Sequence, residues 1–246
     1  MTSVMTRRTA LTTLGAGSIA ALTACSASLT TANTAGTHDS NGTSVVNNNS
    51  KPKASERSDY SGAVEFNSYD TSAGEYKPAT RTSPPQNVPK PIKPENMDEH
   101  SVAGLYSAIG FFTTALTYAF VTGDLGPLDH LPFNEADTNT FKQEIQEARR
   151  KLDGAWYEEF KIALALTAAQ PTQDGDNYKW PAKYLFSLGS FIVRRGVPVD
   201  LPSNKQSSTE EALITAQYKD GRWVFPNTKD SGGGGSFGSS GGSFKV

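Results

Sequence analysis

The chain has 246 residues, 23 lysines and arginines against 25 aspartates and glutamates, and a formal net charge of -2. That balance supplies no basic field for nucleic acid and no lysine cluster to press on an anionic membrane. The single cysteine excludes a disulfide within the chain, and once the signal-like and polar stretches are set aside about 130 residues remain to pack, the size of one ordinary domain.

The first element reads as an export signal. Arg7 and Arg8 supply a charged start, Ala10 to Leu22 is an apolar run too short to span a bilayer, and Leu22, Thr23 and Ala24 lead into Cys25. Small residues ahead of a cysteine suit a signal peptidase of the bacterial lipoprotein type, because the thiol receives the diacylglycerol and the cut falls on its N-terminal side. Residues 1–24 are therefore expected to be removed as a signal peptide. Cys25 is expected to carry diacylglycerol and palmitate and to anchor the protein on the extracytoplasmic face of the cytoplasmic membrane. Arg7 and Arg8 followed by Leu11 also fit a twin-arginine signal, although the aromatic favoured at Ala10 is missing, so that route and general secretion both stay open.

From Ser26 to Glu95 the composition is Ser, Thr, Asn, Gly and Pro without a sustained apolar period. Such a stretch cannot bury enough surface to offset its ordering entropy, so residues 25–95 are expected to be a disordered tether. About 70 residues of this kind have a mean end-to-end distance on the order of 45 Å. Tyr60, Phe66, Tyr69 and Tyr76 stand in it at irregular spacing, and Ser83 to Pro94 is rich enough in proline to favour an extended rod.

A globular domain is expected over residues 96–228. Asn96, Asp98 and Ser101 are candidate N-caps for a helix carrying Val102, Leu105, Ile109, Phe112, Leu116 and Ala119, closed by Gly123. A second apolar line through Tyr106, Phe111, Ala115 and Tyr118 means that this helix is buried on more than one side. Its uncharged length permits a membrane span, but its Thr, Ser, Gly and Tyr content and a polar tether leading back to the same bilayer favour a core helix. Gly123 to Leu128 forms a turn and restart that returns Leu128 and Leu131 to the core, and after a loop from Pro132 to Asn139 the positions Phe141, Ile145, Ala148 and Leu152 give an amphipathic helix ending at Gly154.

The remainder reads as sheet. Ile162 to Ala168 alternates, with helix as the alternative because of its alanines, and Tyr178 to Val193 is aromatic and branched, with Pro181 marking an edge or bend. Gly196 to Ser208 reads as loop. Ala212 to Lys219, Asp220-Gly221 and Arg222 to Phe225 form a hairpin with a two-residue turn, and residues 229–246 are a Gly/Ser tail.

Motifs for chemistry are scarce. His100 and His130 have no His or Cys at metal-ligand spacing, no glycine-rich loop precedes a helix as a phosphate cradle, and no serine sits in a nucleophile elbow. The candidate acid-base set is Asp124, Asp129 and His130 near the end of the first helix, with caps and solvated turn residues as the plainer reading. Glu158-Glu159 and Glu210-Glu211 are adjacent pairs whose members point to opposite faces of a strand. No catalytic residue, metal site or cofactor is assigned.

The lipobox, the low-complexity stretch, the lead Gln86-Asn87-Val88-Pro89-Lys90-Pro91, and the helix end Tyr118-Ala119-Phe120-Val121-Thr122-Gly123-Asp124 followed by Pro127-Leu128 resemble a family of uncharacterised actinobacterial lipoproteins. The resemblance is concentrated in Pro85 to Leu131, with a weaker echo in Asp220 to Val224. Members of that family often carry a cysteine pair after the Gly-Asp turn; Pro132 to Thr140 has none here. Helix, turn, second helix and trailing sheet also resemble the cone of the nuclear-transport-factor-2-like (NTF2-like) superfamily, which implies an α+β fold with N-terminal helices on a curved antiparallel sheet. Such cones host isomerases, dehydratases, binding modules and scaffolds alike. The expectation is a lipid-anchored, non-enzymatic domain that binds an apolar ligand or envelope partner, with a cofactor-free acid-base enzyme as the alternative.

Overall fold

Helix α1, Val102–Thr122, is the axis on which the rest of the domain packs. The computed structural model describes residues 57–226. Arg7, Arg8, Leu22, Thr23, Ala24 and Cys25, and the 229–246 tail, lie outside the described residues. Ser101 caps α1 by accepting the Gly104 N–H at 3.0 Å, and Gly123 ends it in the left-handed region at φ 81°. Gly104 has a packing reason: a Cβ there would stand 2.3 Å from the Glu99 carbonyl oxygen, so only a bare backbone passes that corner.

The apolar lines of α1 are buried on several sides, with Leu105, Ala108, Ile109, Phe111, Phe112, Ala115 and Ala119 all inside. This is the pattern of a core helix, as the charge-free but polar-sprinkled sequence predicts. Beyond Gly123, Asp124 accepts the Gly126 N–H at 2.9 Å and opens a short 3-10 turn over Gly126–His130, which returns Leu128 to the core. Helix α2 then runs over Glu135–Leu152, capped by Asn134. Its first turns replace the loop expected from Pro132 to Asn139; the Asn134 cap and the acidic Glu135 and Asp137 start a helix before any apolar period becomes visible.

Strands β1 (Gly62–Ala63), β5 (Lys161–Leu166), β7 (Asn177–Ser187), β10 (Ser207–Lys219) and β11 (Arg222–Val224) form an antiparallel sheet in the order β1-β5-β7-β10-β11, with β6 (Thr172–Asp174) also on β7. β1 and β11 stand at opposite ends of that order and do not pair, so the sheet is open. A two-stranded pair, β2 (Tyr69–Asp70) with β3 (Lys90–Pro91), and a three-stranded sheet, β4 (Trp156–Tyr157), β8 (Phe191–Arg194) and β9 (Val197–Asp200), complete a mixed α+β fold. Ile162 to Leu166 is strand, not the alternative helix. Asp220 and Gly221 form the two-residue turn between β10 and β11 with φ of 51° and 77°.

Three further expectations are corrected. Residues 57–95 are not a solvated tether: Tyr60 is 5% exposed, its N–H donates to the Ala169 carbonyl at 2.9 Å, and β1 pairs with β5. The packed body therefore begins well before residue 96. Gly196 to Ser208 is not loop throughout, because β9 folds back on β8 and Ser203–Gln206 adds one helical turn. Pro181 is not at an edge, since β7 lies between β5 and β10. Its carbonyl accepts the Thr167 N–H at 2.9 Å, and the nitrogen of a strand residue faces the same side as its carbonyl. The missing donor thus falls in the gap between the end of β5 at Leu166↔Ala182 and the start of β6 pairing at Thr172↔Lys179.

Candidate functional site

A cavity of about 490 Å³ opens where α1, the end of α2, β4, the start of β5 and residues 69–88 meet. Its size falls in the range of small-molecule sites. Phe120 of α1 stacks on Phe160 with ring centroids 3.6 Å apart, and Trp156 and Tyr157 continue the aromatic wall along β4. Thr117 ties α1 to β5: its hydroxyl accepts the Ile162 N–H at 3.0 Å and donates to the Thr113 carbonyl at 2.9 Å.

Residues 71–89 form a strap over one side of this cavity, and Pro84, Pro85 and Val88 line it from there. Lys77 and Gln86 exchange backbone hydrogen bonds at 3.0 and 2.9 Å, and a turn at Thr80–Ser83 closes the loop between them. The strap is fastened at its tip and at its far end. At the tip, the Trp156 indole N–H donates to the Thr80 carbonyl at 2.9 Å, while Arg81 pairs with Asp200 and lies 4.8 Å over the Phe191 ring. At the far end, Lys90 of β3 donates to Asp124 at 2.8 Å. Tyr69 and Tyr76, 38% and 47% exposed, line the cavity as well.

The polar groups of the wall fall into two sets. Glu158 accepts from the Ser190 N–H at 2.5 Å and hydroxyl at 2.6 Å, which hold its carboxyl below the usual range. Glu159 accepts from the Ser187 hydroxyl at 2.5 Å. Burial raises Tyr76, with the Glu159 charge adding to it, and burial also raises Tyr157. Arg149, from the last turn of α2, reaches under the end of α1 and donates from Nη1 to the carbonyls of Phe120 and Val121, the latter at 2.9 Å. Those carbonyls have no partner inside the helix, so a cation there is placed where the helix end is most negative.

The expected acid-base set is not assembled. Asp124 is engaged with Lys90 and with the Tyr118 hydroxyl at 3.2 Å, Asp129 pairs with Lys142, and His130 is exposed. Asp124 is held below the usual range chiefly by the Lys90 hydrogen bond and then by the Gly126 N–H, as befits a cap and ion pair. Glu211 pairs with Lys183 at 3.5 Å on the surface. His100 stands elsewhere, stacked on Tyr218 at 4.2 Å with its Nε2 3.2 Å from the Tyr178 hydroxyl. Among the described residues no group of three or more His, Cys, Asp or Glu side chains is placed to hold a metal ion.

Residues 74–229 match the model of a family of unknown function, DUF6318. The chain belongs to this family. The DUF6318 region takes in the strap from Gly74 onward, both helices and every strand from β3 to β11, so the whole wall of the cavity except Tyr69 lies within it. No curated protein and no solved structure matches the chain.

Sequence reasoning missed Trp156, Tyr157, Phe160 and Arg149 as a group. The Trp-Tyr pair directly after Ala155 is the one available signal, an aromatic pair in a stretch of turn residues and glutamates.

Proposed function

We propose that this DUF6318 protein is a lipid-anchored binding domain, displayed on the extracytoplasmic face of the cell membrane through Cys25, whose cavity takes an apolar ligand. The observation that carries the binding part is the aromatic wall of Phe120, Trp156, Tyr157 and Phe160 around a space of about 490 Å³ under a fastened strap. Ligand sites are concave, mostly apolar and largely pre-formed, and this space has all three properties. The anchoring part is supported by Arg7 and Arg8, the apolar run that follows, and Leu22-Thr23-Ala24-Cys25. In this reading the helix-on-sheet packing is a cone of the NTF2-like kind. Its support is α1 lying along β5 and the long pairing of β7 with β10 from Ser187↔Ser207 to Asn177↔Gln217.

The test has two arms. Cells fed a labelled fatty acid should mark the wild type and not Cys25→Ala; equal labelling of both would end the lipoprotein reading. Purified protein should take up a neutral apolar dye, and Ala155→Trp, which fills the cavity from its wall, should abolish uptake while the protein still melts cooperatively. Undiminished uptake by that variant places the dye elsewhere and removes the support for the cavity.

A further inference from the structure

A guanidinium has five N–H donors in a fixed planar fork. Arg149 spends the two on Nη1 on the end of α1. The other three, one on Nε and two on Nη2, have no acceptor among the described residues. No buried side-chain donor in the described residues lacks a partner, so these three are open to solvent, and Arg149 lines the cavity. Gly123 fixes how the group lies. A Cβ added there would stand 2.9 Å from Nε, 3.1 Å from Cζ and 3.1 Å from Nη2. Such similar distances put Gly123 above the Nε–Nη2 side of the guanidinium plane, so the helix end stacks on that side and accepts no hydrogen bond from it.

The wall carries charges of both signs. Glu158 and Glu159 are committed to Ser190 and Ser187. Lys161, also in the wall, has no carboxylate partner among the described residues, and neither has Arg149. Partial burial lowers the pKa of Arg149 with no neighbouring acid to offset it. Glu158 and Glu159 keep their charges in their hydrogen bonds to serine, so the wall holds two carboxylates and two cations, and Arg149 is the cation whose donors stay open.

We infer that the ligand is a carboxylate carried on an apolar chain or ring, its two oxygens on the Nε–Nη2 edge of Arg149 and its body against Phe120, Trp156 and Phe160. Two parallel N–H donors match the two oxygens of a carboxylate, a fit that an ammonium group or a single hydroxyl does not give. The inference rests on the apolar-ligand reading above and adds the charge of the head group.

The experiment titrates the full-length protein at neutral pH with decanoate, decan-1-ol and decylamine, three ligands with one tail, and follows tryptophan fluorescence, since Trp156 stands in the wall. Decanoate should bind about tenfold or more tighter than the alcohol, the effect of a hydrogen-bonded charge. Arg149→Gln should bring acid and alcohol within about threefold of each other. An alcohol or amine that binds as tightly as the acid to the wild type overturns the inference and leaves the apolar reading standing. So does an Arg149→Gln variant that keeps the full preference. If neither acid nor alcohol binds, the apolar reading itself falls. Because Arg149 also holds the end of α1, Arg149→Lys serves where the glutamine variant fails to melt cooperatively. Lysine keeps the charge without the paired edge, and a preference at or below about threefold supports the inference, whereas wild-type preference overturns it.

Discussion

Residues 102–122 and residues 57–95 pack against each other, yet they satisfy their backbones by different means. In α1 every interior N–H finds a carbonyl one turn back, so the segment carries its own frame and needs the rest of the molecule only to cover its apolar lines. Residues 57–95 have two-residue strands, an isolated bridge, and single bonds to many neighbours. The Glu65 N–H donates to the Tyr106 hydroxyl at 2.7 Å, and the Val64 N–H donates to the Leu164 carbonyl at 2.8 Å. Tyr60 sits between Tyr106, at 5.0 Å, and the edge of Trp180, at 5.9 Å. A segment held this way is ordered by its hosts. Low periodicity therefore means only that a stretch cannot fold by itself.

Substitutions in the two segments should separate these kinds of order. The largest effect is expected at Phe112, 1% exposed and ringed by Phe133 at 5.2 Å and Phe225 at 6.1 Å. Phe112→Ala should cost about 3–5 kcal/mol in a denaturant melt, enough to unfold a marginal domain. A loss below 1 kcal/mol would mean that α1 is not the packing axis. Next comes Tyr60→Ala, expected to cost about 2–3 kcal/mol because a buried ring is removed from the segment's side of the contact. A melt unchanged by this variant would return residues 57–95 to the status of a tether.

Smaller and more local is Trp156→Phe, which keeps the ring but removes the donor to the Thr80 carbonyl. The strap should lose about 0.5–1.5 kcal/mol, read as faster amide exchange around Thr80–Ser83 with little change at α1. Uniform acceleration across the protein would show that strap and core open as one unit.

The smallest effect belongs to the Lys90–Asp124 pair, which ties β3 to the end of α1. Both side chains are more than a third exposed, so screening holds the contribution of the pair below about 1 kcal/mol. Its direction with pH is fixed all the same. The folded value of Asp124 is depressed, so the stability it contributes is complete above the ordinary aspartate value and is lost as the pH falls through the depressed one. Asp124→Asn should flatten the acid limb of a stability profile in that window; an unchanged limb would assign the pair no role in holding β3.

Legibility from the sequence follows the same division. Helix α1, its Ser101 and Gly123 caps and the β10–β11 hairpin are local patterns with local causes, so their residues declare them. Residues 57–95 do not, because Tyr60 faces Trp180, Phe66 faces Phe111 and Tyr69 packs on Phe66, and no common period links them. The start of α2 is hidden for another reason: its first turns are polar and face outward, leaving Asn134 as the signal. The cavity was out of reach as a whole, since Phe120, Arg149, Trp156 and the strap prolines converge only through the fold. Asp124 was visible as a cap, and the structure adds Lys90, which sequence spacing could not supply.

The order of contacts along the N-terminal segment has a mechanical consequence. A pull on the chain ahead of residue 57 loads first the Gln170 bonds to the Arg57 and Ser58 carbonyls, then the Tyr60 bond to Ala169, the two residues of β1 and the Val64 and Glu65 bonds, and only afterwards β2 and the strap. These attachments lie in series and each is only one or two bonds strong, so tension would peel them one at a time while α1 and the β7–β10 pairing carried almost none of the load. The roof of the cavity comes next in that sequence, ahead of the core, which makes traction at the N-terminal end a way to uncover the aromatic wall without unfolding the domain.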